Sequence, residues 1–133
     1  MERIIKFRAW SKELNKMFLQ SKHFFSIAES SWGVYTTTDD VAIDGSSYVD
    51  KNRSAILMQY TGLKDSSGKE IFEGDIIYWK HLGKESAVEV YFNQKEFVFV
   101  GKPIDKADKT ESWLDNKCTY LGNKFEHPNL IKN

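Results

Sequence analysis

Apolar and polar positions alternate along much of this chain or gather in short runs rich in β-branched and aromatic residues, a pattern of strands rather than helices. Ile5, Phe7 and Ala9 would share one face of a first strand, and Lys6, Arg8 and Trp10 the other. Ser11–Lys16 is a polar connection, and Lys16–Leu19 reads as the return strand of a hairpin. Further strands are predicted at Phe24–Ile27, Trp32–Thr37 and Val41–Ile43, the last stopped by the turn residues Asp44-Gly45-Ser46-Ser47.

The clearest pattern begins at Ile56. Ile56–Thr61 reads as a strand and Asp65-Ser66-Ser67-Gly68 as a turn in which Gly68 takes positive φ. Glu70-Ile71-Phe72 follows, and Glu73-Gly74-Asp75 makes a second bend. In Asp75–Lys80, Ile77 and Trp79 lie on one face and Ile76 and Tyr78 on the other, so both faces are apolar and the strand should be central. Val88, Val90 and Phe92 alternate with Glu89 and Tyr91, and Asn93-Gln94-Lys95 turns into Phe97–Val100, the best hairpin in the chain. Lys102–Glu111 reads as a polar surface loop, Ser112–Asn116 as a short helical turn around Trp113 and Leu114, and Thr119–Leu121 as a last strand closed by Gly122-Asn123. His127–Ile131 fits one helical turn with Pro128 at its first position. Many short strands with tight turns predict a small barrel or sandwich.

Composition sharpens this. At 133 residues, 41% of them hydrophobic, the chain fills one core or two small modules sharing one. Nine Phe, six Tyr and four Trp supply large buried areas. The single cysteine, Cys118, forms no disulfide within the chain, which points away from an oxidising compartment. Charges at Glu2, Arg3 and Lys6 interrupt the apolar run a signal peptide needs, and no apolar stretch approaches the roughly 18 residues of a membrane span. A cytoplasmic protein, without a membrane, is expected.

Net charge is zero, with 19 basic and 19 acidic residues, which argues against generic coating of nucleic acid. The charges are segregated, however. Residues 1–22 carry +4 (Arg3, Lys6, Arg8, Lys12, Lys16 and Lys22 against Glu2 and Glu13). Residues 23–50 carry −5, from Glu29, Asp39, Asp40, Asp44 and Asp50. Such segments pair either within one fold or between copies, and a homo-oligomer is the partner expected here.

Three stretches, in order, are similar to one known family: Ile5-Lys6-Phe7-Arg8-Ala9-Trp10; Met58 through Asp65 with Gly68 through Ile76; and Leu121-Gly122-Asn123 with Glu126-His127-Pro128-Asn129-Leu130. Their spacing resembles the YopX-type proteins of bacteriophages and prophages. That resemblance implies a small β-rich fold with an SH3-like barrel, working in a bacterial host, and it carries over no reaction and no catalytic residue. The fold class expected is therefore mainly β: an additional N-terminal β-rich module over 1–55 and an SH3-like barrel over 56–133.

Candidate chemistry is sparse. Gly62, Asp65, Gly68, Gly74, Asp75 and Gly122 read as turn residues, with Gly62, Gly68 and Gly74 spaced six apart at bends between strands. The stretch Gly62–Glu70 has the wrong spacing for a phosphate loop, and Glu70 stands where Ser or Thr should hold magnesium. Asp39, Asp40 and Asp44 lack the alternation of a calcium loop. His23, His81, His127 and Cys118 fall at no zinc-ligand spacing, so no metal and no cofactor is expected. Cys118 has no adjacent His to activate it, and Glu73 and Asp75 sit at a tight turn, where carboxylates cap rather than catalyse. Lys6, Arg8 and Trp10 remain as a binding face that could stack bases and hold phosphates, against the plainer reading of a solvated outer face. The functional expectation is a non-enzymatic binding or assembly module that self-associates, with a nucleic-acid-binding accessory factor as the less favoured alternative.

Overall fold

Strand content follows the alternation closely. The computed structural model describes residues 4–12, 15–19, 23–28, 31–36, 56–81, 83–105, 107 and 111–131. The predicted strand at Val41–Ile43, the acidic residues Asp39, Asp40 and Asp44, and the −5 stretch beyond residue 36 lie outside them. The chain divides into two compact units, Lys6–Met58 and Met1–Ile5 with Gln59–Asn133.

The first unit holds two antiparallel hairpins. Strands β1 (Phe7–Ser11) and β2 (Lys16–Leu19) pair with Ala9 opposite Phe18 and Trp10 opposite Met17. Strands β3 (His23–Ala28) and β4 (Ser31–Thr36) pair from His23↔Thr36 to Ala28↔Ser31. β5 (Ile56–Lys64) begins in this unit and continues into the second.

In the second unit β5 turns into β6 (Glu70–Phe72), with Tyr60 opposite Phe72 and their rings 5.4 Å apart. A five-stranded antiparallel sheet follows. It is built from β7 (Asp75–His81), β8 (Lys84–Asn93), β9 (Val98–Pro103), β10 (Ser112–Trp113) and β11 (Cys118–Asn123), in the order β10-β9-β8-β7-β11. β7 lies between β8 and β11, and Ile76 and Ile77 on its opposite faces are both buried, as its two apolar faces predict. One face of the sheet presents Ile77, Val88, Val90 and Cys118, which form a core with Ile71, Leu114 and Tyr120. Among the described residues the one helical element is a single 3-10 turn, Pro128–Leu130, with Pro128 at its start.

Two local expectations differ. Trp113 lies in an edge strand rather than in a helical turn, because Ser112 and Trp113 continue the ladder opposite Gly101 and Val100. The predicted loop from Lys102 begins late, since Lys102 and Pro103 still pair with Glu89 and Val88. Pro103 is tolerated there because β10 pairs no further along β9 than Gly101, so its missing N–H leaves no ladder bond unmade.

Candidate functional site

The turn between β5 and β6 is organised by one carboxylate. Asp65 is buried (7% exposed), and its Oδ1 accepts from Ser67 N at 2.8 Å, Ser67 Oγ at 2.7 Å and Lys69 N at 2.9 Å. Its Oδ2 accepts from Tyr120 N at 3.0 Å. These donors, the Ser67 hydroxyl first, hold the acid well below the ordinary carboxylate range against the opposing effect of burial. Gly68 has a φ of 91°, which lets the turn close with its N–H donated to Asp65 O. Asp75 is fully buried and accepts from Phe72 N at 2.7 Å, tightening the next bend around Gly74. Gly62 likewise has positive φ in β5, and Gly122 follows the bulge at Leu121, ahead of the turn at buried Asn123. Asn123 Oδ1 accepts there from Phe125 N at 3.0 Å and Glu126 N at 2.8 Å. Asp65, Gly68, Gly74 and Asp75 therefore shape turns, whereas Gly62 lies inside β5, where the register shifts between Tyr60 and Lys64, and Gly122 lies inside β11 beside its bulge; none presents free chemistry in a cleft.

The face read from the sequence as Lys6, Arg8 and Trp10 is differently placed. Arg8 (5% exposed) and Trp10 (6%) are buried, as are Ala9 and Ser11 from the other side of β1. Only Lys6, just before the strand, is half-exposed. Alternation suggested one solvated face, but a strand packed on both faces shows no such contrast. Arg and Trp tolerate that position because much of each side chain is apolar and packs when buried. Neither side chain offers an open surface for a base.

Cys118 is also buried, at 2% exposed, and burial first, then Asp65 and Asp115, push its thiol above the ordinary range. It is a core residue and a poor nucleophile. Among the described residues no three His, Cys, Asp or Glu side chains gather to hold a metal ion.

Polar side chains do converge on the sheet face opposite the core. Register places Glu89 opposite Lys102 and Tyr91 opposite Val100, and Val100 opposite Trp113, so these residues share that face. Lys124 Nζ bonds Glu89 Oε2 at 3.1 Å. Tyr91 Oη donates to Glu111 Oε1, and Asn93 Nδ2 donates to Glu111 Oε2 at 3.0 Å. Glu89, Tyr91, Lys102 and Glu111, with Ile104 and Ile131, line a groove of about 350 Å³. Further along the same face Glu85 meets Lys80 at 3.4 Å and accepts from Tyr78, whose hydroxyl is raised above its ordinary range by that bond. A second, open groove near Lys64 and Lys117 contains Asp65, whose oxygens are already committed to the turn.

Large apolar side chains are exposed beside this face. Trp113 on the edge strand β10 is 71% exposed, and Phe97, at the tip between β8 and β9, is 82% exposed with a φ of 56°. Asn93 Oδ1 accepts from Lys95 N and Glu96 N and fixes the tip that carries Phe97. Sequence reasoning did not single out Glu111, Trp113 or Phe97, because Lys102–Asn116 reads as loop and turn and Phe97 as the start of a strand. The available signal was the alternation Glu111-Ser112-Trp113, too short to read as a strand without its partner β9.

Among the described residues, curled antiparallel strands with almost no helix define a mainly β protein. Residues 6–132 match the family described as YopX protein, and the chain belongs to the YopX family. Two crystal structures are similar. Protein EF1440 from Enterococcus faecalis is 22% identical, with 98% of this chain and 100% of that chain covered and a TM-score of 0.55. Protein yopX from Bacillus subtilis is 23% identical, with 96% of each chain covered and a TM-score of 0.64. At these identities the likeness is one of fold. No curated protein matches the chain. Among the described residues, no helix is long and apolar enough to cross a membrane.

Proposed function

We propose that this chain is a non-enzymatic binding and assembly module that self-associates, acting in the cytoplasm of a bacterial host as part of phage or prophage biology. In this reading the strands from Ile56 onward serve as an SH3-like platform. The supporting observation is the exposure of two large aromatics, Trp113 (71%) on the edge strand β10 and Phe97 (82%) at the tip between β8 and β9. Exposed aromatics are costly in isolation and are the side chains that dominate protein contacts. The polar face beside them is bonded into itself rather than arranged as a nucleophile with its base. Nucleic-acid binding through Lys6, Arg8 and Trp10 is the weaker reading, because two of those three side chains are buried.

Light scattering over a range of protein and salt concentrations tests the proposal. A mass above that of one chain, falling as salt rises, is expected from contacts aided by the segregated charge. One chain's mass under every condition overturns it.

A further inference from the structure

The polar face ends in an acceptor that the fold has oriented and left open. Across the sheet, Lys124 bonds Glu89, Glu89 stands opposite Lys102, and Lys102 lies beside Gly101, the partner of Ser112, which follows Glu111. Charge thus alternates along a row, Lys124, Glu89, Lys102 and Glu111, and the row stops on an acid at the sheet edge. Glu111 forms no ion pair among the described residues, and Lys102 is exposed. Each carboxylate oxygen of Glu111 is held by one donor, Oε1 by Tyr91 and Oε2 by Asn93. A carboxylate oxygen accepts more than one hydrogen bond, so both retain acceptor capacity toward solvent. Trp113 is two residues further along, about 7 Å in extended chain, and is 71% exposed.

We propose that Glu111 and Trp113 form an arginine-recognition site for a protein partner. The guanidinium continues the alternating row by a two-pronged bond to Glu111 and lays its plane on the Trp113 ring. Arginine fits better than lysine because its planar fork matches two fixed oxygens and also stacks on an indole. Because Tyr91 and Asn93 have already fixed the carboxylate, little side-chain freedom remains to be lost on binding. Glu111, the last charge of the row, repels an anionic ligand, so phosphate-bearing partners are disfavoured. The site deepens the assembly reading by naming the chemistry of the partner and rests on it in that respect alone.

The test is nuclear magnetic resonance titration of the full chain with N-acetyl-arginine methylamide, with its lysine and citrulline counterparts as comparison probes. Saturable shifts are expected at the Trp113 indole and at the Tyr91 and Glu111 amides, with about fivefold weaker binding of the lysine probe and weaker binding still of uncharged citrulline. Glu111→Gln should weaken the arginine probe about tenfold, and Trp113→Leu about threefold, in proteins whose remaining spectra match the parent. The absence of saturable shifts up to about 100 mM, beyond the millimolar affinity expected of one such pair, overturns the inference. Equal response to arginine and lysine, or unchanged binding in Glu111→Gln, also overturns it. Light scattering on the same samples separates the two claims: a monomer at every concentration that takes the arginine probe removes self-association alone, and a chain that assembles when concentrated but ignores the probe at dilutions where it is monomeric removes this site alone.

Discussion

Asp65 Oδ2 accepts the backbone N–H of Tyr120 across 3.0 Å, tying the β5–β6 turn to β11, 55 residues later in the chain. The same carboxylate closes its own turn through Ser67 and Lys69. Replacing it by Asn removes the charge and leaves one oxygen for four donors, so Asp65→Asn should destabilise the fold by about 2–3 kcal/mol at pH 7. The folded acid titrates below its unfolded value, so its contribution is complete above about pH 4 and is lost as pH falls further. Chemical denaturation at pH 7, 5 and 3 should therefore show the gap between parent and variant narrowing only at the lowest pH. A constant gap would show that the hydrogen bonds act without the charge.

Burial makes Cys118 inert. The native thiol should react with a disulfide reagent at pH 8 orders of magnitude more slowly than the unfolded chain. Its rate should rise with denaturant in step with unfolding. Prompt stoichiometric reaction of the native protein would mean the core around Ile77 and Val88 is open.

Gly101 is required for space, not for its φ. A Cβ there would lie 2.6 Å from Val88 Cγ2 and 3.0 Å from Ser112 Oγ. Gly101→Ala should cost about 1–3 kcal/mol, and adding Val88→Ala should recover part of the loss, giving a double-mutant coupling above about 0.5 kcal/mol. Strict additivity in thermal melts would place the clash elsewhere.

Phe97 should be replaceable at a gain in stability. Its left-handed backbone disfavours a bulky side chain, and its ring, 82% exposed, buries little. Phe97→Gly should raise stability by about 0.5–1 kcal/mol while weakening self-association. A loss of stability in the dilute variant would mean the ring packs within its own chain.

The sequence made the strands legible where alternation was sustained and turns were strongly marked. Ile76 and Ile77 on opposite faces identified β7 as central, and Asp65 with Gly68 identified the turn before β6. Arg8 and Trp10 misled because their polar ends suggested a solvated face, whereas long amphipathic side chains pack within a strand buried on both sides. Trp113 was misplaced for a different reason. Two residues carry no period, and only the ladder to Val100 and Gly101 makes them a strand. Glu111 escaped notice because its bonds reach back to Tyr91 and Asn93, 20 and 18 residues earlier, through a pairing that no local pattern reveals.

Self-association is most directly tested by light scattering on the parent chain and on the double variant Trp113→Ser/Phe97→Ser, measured from low micromolar to near-millimolar protein at low and high salt. The parent should exceed the 15.5 kDa of one chain as concentration rises and return toward it at high salt. The double variant should stay at one chain's mass. A parent fixed at 15.5 kDa throughout, or a double variant that assembles as the parent does, would contradict the account.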